Sequence, residues 1–277
     1  MTRLQFTKME GTGNDFVVIN ATRQQFALDT AQIRRMADRH TGIGFDQLLV
    51  IEPPRTAGTD FYYRIFNGDG IEVGQCGNGA RCFVRYIHDK ALSNKNRLRV
   101  ETVSGVIEPC LEKDGNITVD MGQPHFDPAE IPMLTLQRQH SYKITIEGAQ
   151  AEIGAVSMGN PHAVQVVSDV ESAPVMTQGP LIEQHRLFPE RVNAGYMQIV
   201  DRHMIRLRVW ERGAGETLAC GTGACAAVAI GIYWGLLDSP VCVHTRGGHL
   251  HIAWQGEGKN ILMSGPARTV FEGEIDI

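Results

Sequence analysis

Two segments of this chain, Cys76-Gly77-Asn78-Gly79-Ala80 and Cys220-Gly221-Thr222-Gly223-Ala224, repeat one pattern 144 positions apart, close to half of its 277 residues. Phe66 and Trp210, and Glu72 and Glu216, keep the same offset, and Gly13-Asn14 echoes Gly159-Asn160 at an offset of 146. Matches at nearly one period point to an internal duplication, which fits a length suited to two domains of about 140 residues. The expected division is residues 1–120, with a C-terminal strand over 265–277 returning to them, and residues 121–264. Each half then carries one cysteine at the start of its central helix, with a cleft between the halves.

The rest of the pattern is β-rich. Apolar and β-branched runs over 16–19, 47–51, 61–66, 98–103, 106–111 and 117–119 alternate with turn signals such as Ser104-Gly105 and Asp114-Gly115-Asn116. Similar runs occupy 142–146, 163–167, 196–200, 205–210, 241–244, 250–254 and 270–275, and the charges between Arg202 and Arg208 read as a half-exposed strand. Helices are fewer: one over 30–40, capped by Asp29, and one after each of Cys76 and Cys220. The fold class is therefore α+β, with largely antiparallel sheets in two pseudo-symmetric domains.

A net charge of −5 with no long basic run excludes general attraction to nucleic acid or anionic membrane, leaving a small molecule as the expected partner. No export signal is visible near the N-terminus, so a cytoplasmic location is expected, and the cysteines at 76, 82, 110, 220, 225 and 242 read as thiols rather than bridges. None of their spacings is Cys-x-x-Cys, no P-loop or GxGxxG is present, and neither metal nor cofactor is expected. Residues 217–237 lack any charge, but the polar, glycine-rich start of that stretch favours a buried helix over a membrane span.

A cysteine in the first helical turn is favoured as thiolate by unpaired backbone N–H groups and the helix dipole. The same N–H groups bind a carboxylate, and stabilise the charge that develops when an amino acid loses its α-proton. Two such cysteines on either face of one carbon make an acid/base pair: a thiolate takes a proton, the opposite thiol returns one, and the stereocentre inverts.

Around these residues the sequence resembles the diaminopimelate epimerase family over almost its whole length. The resemblance rests on Gly11-Thr12-Gly13-Asn14-Asp15-Phe16, Gly42-Ile43-Gly44-Phe45-Asp46-Gln47, Phe66-Asn67 with Gly68-Asp69-Gly70, and Gln75-Cys76-Gly77-Asn78-Gly79-Ala80-Arg81-Cys82. It continues through Met158-Gly159-Asn160-Pro161-His162, Trp210-Glu211-Arg212-Gly213-Ala214-Gly215-Glu216-Thr217 and Ala219-Cys220-Gly221-Thr222-Gly223-Ala224. It implies cofactor-independent epimerisation between LL- and meso-diaminopimelate, in lysine and peptidoglycan precursor synthesis, and a sheet wrapped around a central helix in each domain. It makes Cys76 and Cys220 the proton donor and acceptor, with His162 and Glu211 tuning them. Substrate contacts would fall on Asn14, Gln47, Asn67, Gly77, Asn78, Asn160, Asn193, Glu211, Arg212, Gly221 and Thr222, with Arg212 suited to the distal carboxylate. The family's dimer-contact tyrosine is matched here by Phe271, so a homodimer is implied without that hydroxyl.

Plainer readings stand beside these. Cys82, Cys110, Cys225 and Cys242 read as small buried hydrophobes, Asn14 and Asn160 as turn formers, and Glu211 with Arg212 as a solvated ion pair. A proline or hydroxyproline racemase would use the same thiol pair, and a binding or redox-sensing protein would close the two cysteines into a reversible disulfide.

Overall fold

The computed structural model describes residues 3–74 and 76–277. Two compact units emerge, Met1–Asp120 with Ser264–Ile277, and Met121–Met263.

In the first unit, β1 (Arg3–Gly11) and β2 (Asn14–Asn20) form a hairpin. Its turn residues Thr12 and Gly13 take φ of 57° and 89°, as a two-residue type I′ turn requires. The chain then crosses through α1 (Thr30–Ala37) to β3 (Gln47–Glu52), parallel to β2, and turns back as β4 (Phe61–Asn67). A short β5 (Glu72–Val73) folds onto β4, and α2 (Gly77–Asp89) leads to β6 (Val100–Thr102), parallel to β4 and paired with β7 (Gly105–Ile107). The hairpin of β8 (Cys110–Leu111) and β9 (Ile117–Asp120) packs on α2.

The second unit follows the same grammar. After β10 (Tyr142–Ile146) come the antiparallel pair β11 (Ala149–Ser157) and β12 (Pro161–Val166), then α3 (Val175–Glu183) and β13 (Asn193–Asp201), parallel to β12. The antiparallel β14 (Met204–Glu211) receives β15 (Gly215–Thr217), and α4 (Gly221–Tyr233) leads to β16 (Val241–Thr245), parallel to β14 and paired with β17 (Gly248–Ala253). Then β18 (Leu262–Gly265) carries the chain back to the first unit, where β19 (Arg268–Asp276) pairs antiparallel with β1.

The path β1-β2-β3-β4-β6-β7 thus recurs as β11-β12-β13-β14-β16-β17. Each parallel pair sits where a helix intervenes, because parallel neighbours cannot be joined by a tight turn. The crossover helices bury themselves in their own units: α4 is buried from Gly223 through Gly231, and α2 from Gly77 through Val84. A helix apolar on every side needs such a setting. Among the described residues, no helix is long and apolar enough to cross a membrane.

Several expectations change. Helix α1 ends at Ala37 rather than residue 40, because Asp38 turns extended and its carboxylate accepts from the backbone of His40 and Thr41. The run 106–111 breaks into β7 and β8 around Pro109, which has no N–H to give a ladder. Helix α3 had no signal, since Pro174, Gly179 and Pro180 all disfavour helix. Arg208, expected on a half-exposed strand, is buried, with its guanidinium on both Glu216 carboxylate oxygens at 2.6 and 2.9 Å.

Candidate active site

In the first unit, Asn14 opens β2, Gln47 opens β3 and Asn67 closes β4, so the three lie at one end of the sheet beside the start of α2. Gln47 and Asn67 are paired in register, and Gln47 Nε2 donates to Asn67 Oδ1 at 2.9 Å. Asn78, in the first turn of α2, donates to Asn14 Oδ1 at 2.5 Å. Its own carbonyl is held by Arg81 Nη1 at 2.8 Å, while Arg81 Nη2 reaches Thr12 Oγ1 at 2.7 Å. Behind Asn14 stands Asp46, accepting from Asn14 Nδ2, and behind that Asp15, bound by Lys8 and Arg39. Burial pushes the Asp15 carboxyl upward, but the hydrogen bonds from Arg39 and Lys8 win and hold it at about 2.

Cys76 is the N-cap of α2: its extended backbone frees the sulfur to accept from Gly79 N at 3.4 Å. Gly79 is required for packing, because a Cβ there would sit 2.6 Å from the Tyr63 hydroxyl and 3.3 Å from Leu49. A small cavity lined by Tyr63, Ile65, Cys76, Ala80 and Val119 lies alongside. Gln75 lies outside the described residues.

The second unit repeats this placement. Asn160 and His162 stand at the start of β12, Asn193 opens β13, Glu211 closes β14, and Gly221 and Thr222 begin α4. Gln47 and Asn193, and Asn67 and Glu211, therefore hold equivalent positions. Asn193 Nδ2 donates to Pro161 O and its Oδ1 accepts from Arg212 N at 2.8 Å, fixing the backbone beside Glu211.

Cys220 is the N-cap of α4, without the side-chain capping hydrogen bond that Cys76 makes. Its Sγ lies 3.1 Å from Glu211 Oε2, and the other oxygen, Oε1, accepts from Thr217 Oγ1 at 2.5 Å. Thr222 Oγ1 stands 3.5 Å from the sulfur and receives Asn160 Nδ2 at 3.4 Å, and Asn160 Oδ1 is 3.0 Å from His162 Nε2. His162 thus reaches Cys220 through two intermediates. It is fully buried, and burial, then the Arg212 charge, pull its imidazole down to about 3. The thiolate expected at a helix start is not favoured at Cys220. Burial first and the Glu211 carboxylate second push this thiol well above its ordinary range, against the weaker help of Thr222 and the Gly223 N–H.

Arg212 is exposed and donates to the Glu190 carbonyl at 3.0 Å, while Glu211 is engaged by Thr217 and Cys220, so the solvated Glu211–Arg212 pair does not form. Sequence reasoning missed two supporting residues. Thr217 was legible only as part of a motif. Glu183, buried at the end of α3, accepts from Trp210 Nε1 at 2.7 Å and Gly213 N at 2.9 Å and so anchors both sides of Glu211.

The sequence profile described as "Diaminopimelate epimerase" matches residues 6–126 and 154–270, which between them carry every one of these groups. The chain belongs to the diaminopimelate epimerase family. It is 60% identical over 275 residues to the diaminopimelate epimerase of Nitrosospira multiformis, covering 99% of both chains, and 62% identical to that of Nitrosomonas europaea, covering 99% and 100%. Solved structures at low identity share the fold: a hydroxyproline epimerase from Agrobacterium vitis (TM-score 0.70, 14% identity, 99% and 92% covered) and a PhzF-family phenazine biosynthesis protein from Bacillus anthracis (TM-score 0.68, 16%, all of both chains). Fold likeness alone leaves the racemase alternative open, whereas the identity to diaminopimelate epimerases over the full length places the chain as an isomerase of that family.

Proposed function

We propose that this chain interconverts LL- and meso-diaminopimelate by passing one α-proton between the sulfurs of Cys76 and Cys220. The observation that carries the reading is the Cys220 Sγ to Glu211 Oε2 contact of 3.1 Å in a buried setting. A carboxylate there can take the thiol proton, and burial makes the resulting thiolate a stronger base. In one direction Glu211 receives the Cys220 proton, the Cys220 thiolate takes the substrate α-proton, and the Cys76 thiol delivers its proton to the opposite face. The chemistry requires that both sulfurs reach one carbon. The backbone N–H groups opening α2 and α4, around Gly77, Asn78, Gly221 and Thr222, suit the reacting carboxylate as charge builds on it.

Asn14, Gln47, Asn67, Asn160 and Asn193 supply amide donors and acceptors for the two amino-acid ends, and Arg212 the cation for the distal carboxylate. His162, neutral in its buried site, acts as a positioning residue through Asn160. A cytoplasmic location and a homodimer using the surface around Phe271, whose ring is half-exposed against Phe6, belong to the same proposal.

Reduced protein incubated with LL-diaminopimelate in deuterated water should place solvent deuterium at the α-position and form the meso isomer. Cys76→Ala and Cys220→Ala should each abolish epimerisation. Full activity in both single variants, or racemisation of free proline in place of diaminopimelate, would overturn the reading. Sedimentation at several concentrations tests the dimer.

A further inference from the structure

Outside the cysteine pair, the β16–β17 hairpin gathers a second set of soft ligands. Cys242 is paired in register with His251, and His244 with His249, so all four side chains emerge on one face. Their neighbours Val241, Val243, Leu250 and Ile252 are buried on the other. The donor atoms of Cys242, His244 and His249 lie within 4.8 Å of one another, and the His244 and His249 rings meet at 4.0 Å between centroids. The parallel neighbour β14 sets Met204 beside Cys242 and Arg206 beside His244 on the same face. Cys242 and His244 are half-buried, whereas His249 and His251 are exposed, so the set opens to solvent.

We infer that Cys242, His244 and His249 form a binding site for a late transition-metal ion of nitrogen and sulfur preference, with zinc(II) the expected occupant. One thiolate and two imidazoles are a donor set for zinc, at Zn–S of about 2.3 Å and Zn–N of about 2.0–2.1 Å. A tetrahedral site of those bond lengths has ligand edges of roughly 3.5 Å, so closing from the present spacing takes about an ångström of side-chain rotation. Ligands one residue apart on each strand, fixed by cross-strand register, need no backbone change. The fourth position is left to water or to His251, opposite Cys242. Binding removes the Cys242 thiol proton, and the thiolate offsets the Arg206 cation that would otherwise oppose a dication. The motifs of the proposed active site do not include these residues, which in sequence are a Cys-x-His and a His-x-His with no Cys-x-x-Cys spacing.

The test titrates cobalt(II) into full-length protein carrying Cys76→Ser and Cys220→Ser, so that the active-site thiols cannot contribute. One equivalent should give the intense visible bands of a tetrahedral cobalt site and a near-ultraviolet thiolate-to-cobalt charge-transfer band, both abolished by zinc(II). Cys242→Ala should lose the charge-transfer band. His249→Ala, at an exposed position that leaves folding intact, should weaken binding at least tenfold, and Arg206→Gln should tighten it. Absence of the charge-transfer band at one equivalent, its survival in Cys242→Ala, or unchanged affinity in His249→Ala would overturn the proposal.

Discussion

Glu211 faces Cys220 with one carboxylate oxygen 3.1 Å from the sulfur, and the other is fixed by the Thr217 hydroxyl at 2.5 Å. The carboxylate cannot swing away without breaking the Thr217 bond, and its charge joins burial in keeping Cys220 protonated. Glu211→Gln keeps an acceptor for Thr217 but removes the charge. The Cys220 pKa should therefore fall, while kcat drops by about 10²-fold because the proton acceptor is gone. Iodoacetamide alkylation of Cys220 against pH, followed by mass spectrometry, should show the midpoint moving to lower pH. A midpoint that rises or stays, with kcat unchanged, would remove Glu211 from the mechanism.

His162 gives the fold an acid-sensitive point. Its imidazole sits at about 3 in the buried site and near 6.5 when unfolded, so below pH 6.5 the unfolded chain binds a proton that the folded chain refuses. Stability should fall as pH drops from 6.5 to about 3, by an amount on the order of a few kcal/mol. Asp15 acts in a lower window: its folded value of about 2 lies below the ordinary 3.8, so its contribution is present above 3.8 and lost as pH falls through 2. His162→Gln, which keeps a partner for Asn160, should flatten the urea-unfolding profile between pH 6.5 and 4. An unchanged slope there would show that His162 is not buried as a neutral ring.

Much of this was written locally in the chain. The helix starts at Cys76 and Cys220 were legible because capping grammar is read over a few residues, and the hairpin turns because Gly105 and Gly115 supply positive φ. Helix α3 was not legible, because tertiary packing overrides its propensities: a Cβ at Gly179 would meet the Trp210 ring at 2.7 Å, so the glycine that weakens the helix is demanded by its partner. The direct partner of Cys220 was reachable only through family resemblance, since Glu211 lies nine residues upstream and is returned by the β14–β15 pairing. Residues joined by strand register, such as Cys242, His244 and His249, leave even less trace.

Arg208 and Glu216 show that reading charges as solvated can fail. Both side chains are 7% exposed, and the guanidinium also donates to the carbonyls of Val170 and Glu171. Arg208→Leu leaves a buried carboxylate facing the half-exposed Arg246 at 3.0 Å, and should cost about 3 kcal/mol in unfolding free energy. Arg246→Ala should cost less than about 1 kcal/mol, as an exposed pair does. Guanidinium unfolding of the two variants should separate them clearly; equal effects would mean that the Arg208 pair is no better than a surface contact.

Gly79 offers a test of packing at the other cysteine. The Tyr63 hydroxyl is fully buried with no hydrogen-bond partner among the described residues, and a methyl group at Gly79 would lie 2.6 Å from it. Gly79→Ala should therefore destabilise by about 1–3 kcal/mol through overpacking, although alanine is the better helix former. Tyr63→Phe removes the clashing oxygen and strands no hydrogen bond among the described residues, so alone it should be neutral or mildly stabilising. The two sites touch, and a double-mutant cycle should give a favourable coupling of at least about 1 kcal/mol, with Gly79→Ala tolerated when Tyr63 is phenylalanine. Additive effects would show that the Leu49 contact at 3.3 Å, rather than the hydroxyl, sets the limit at Gly79.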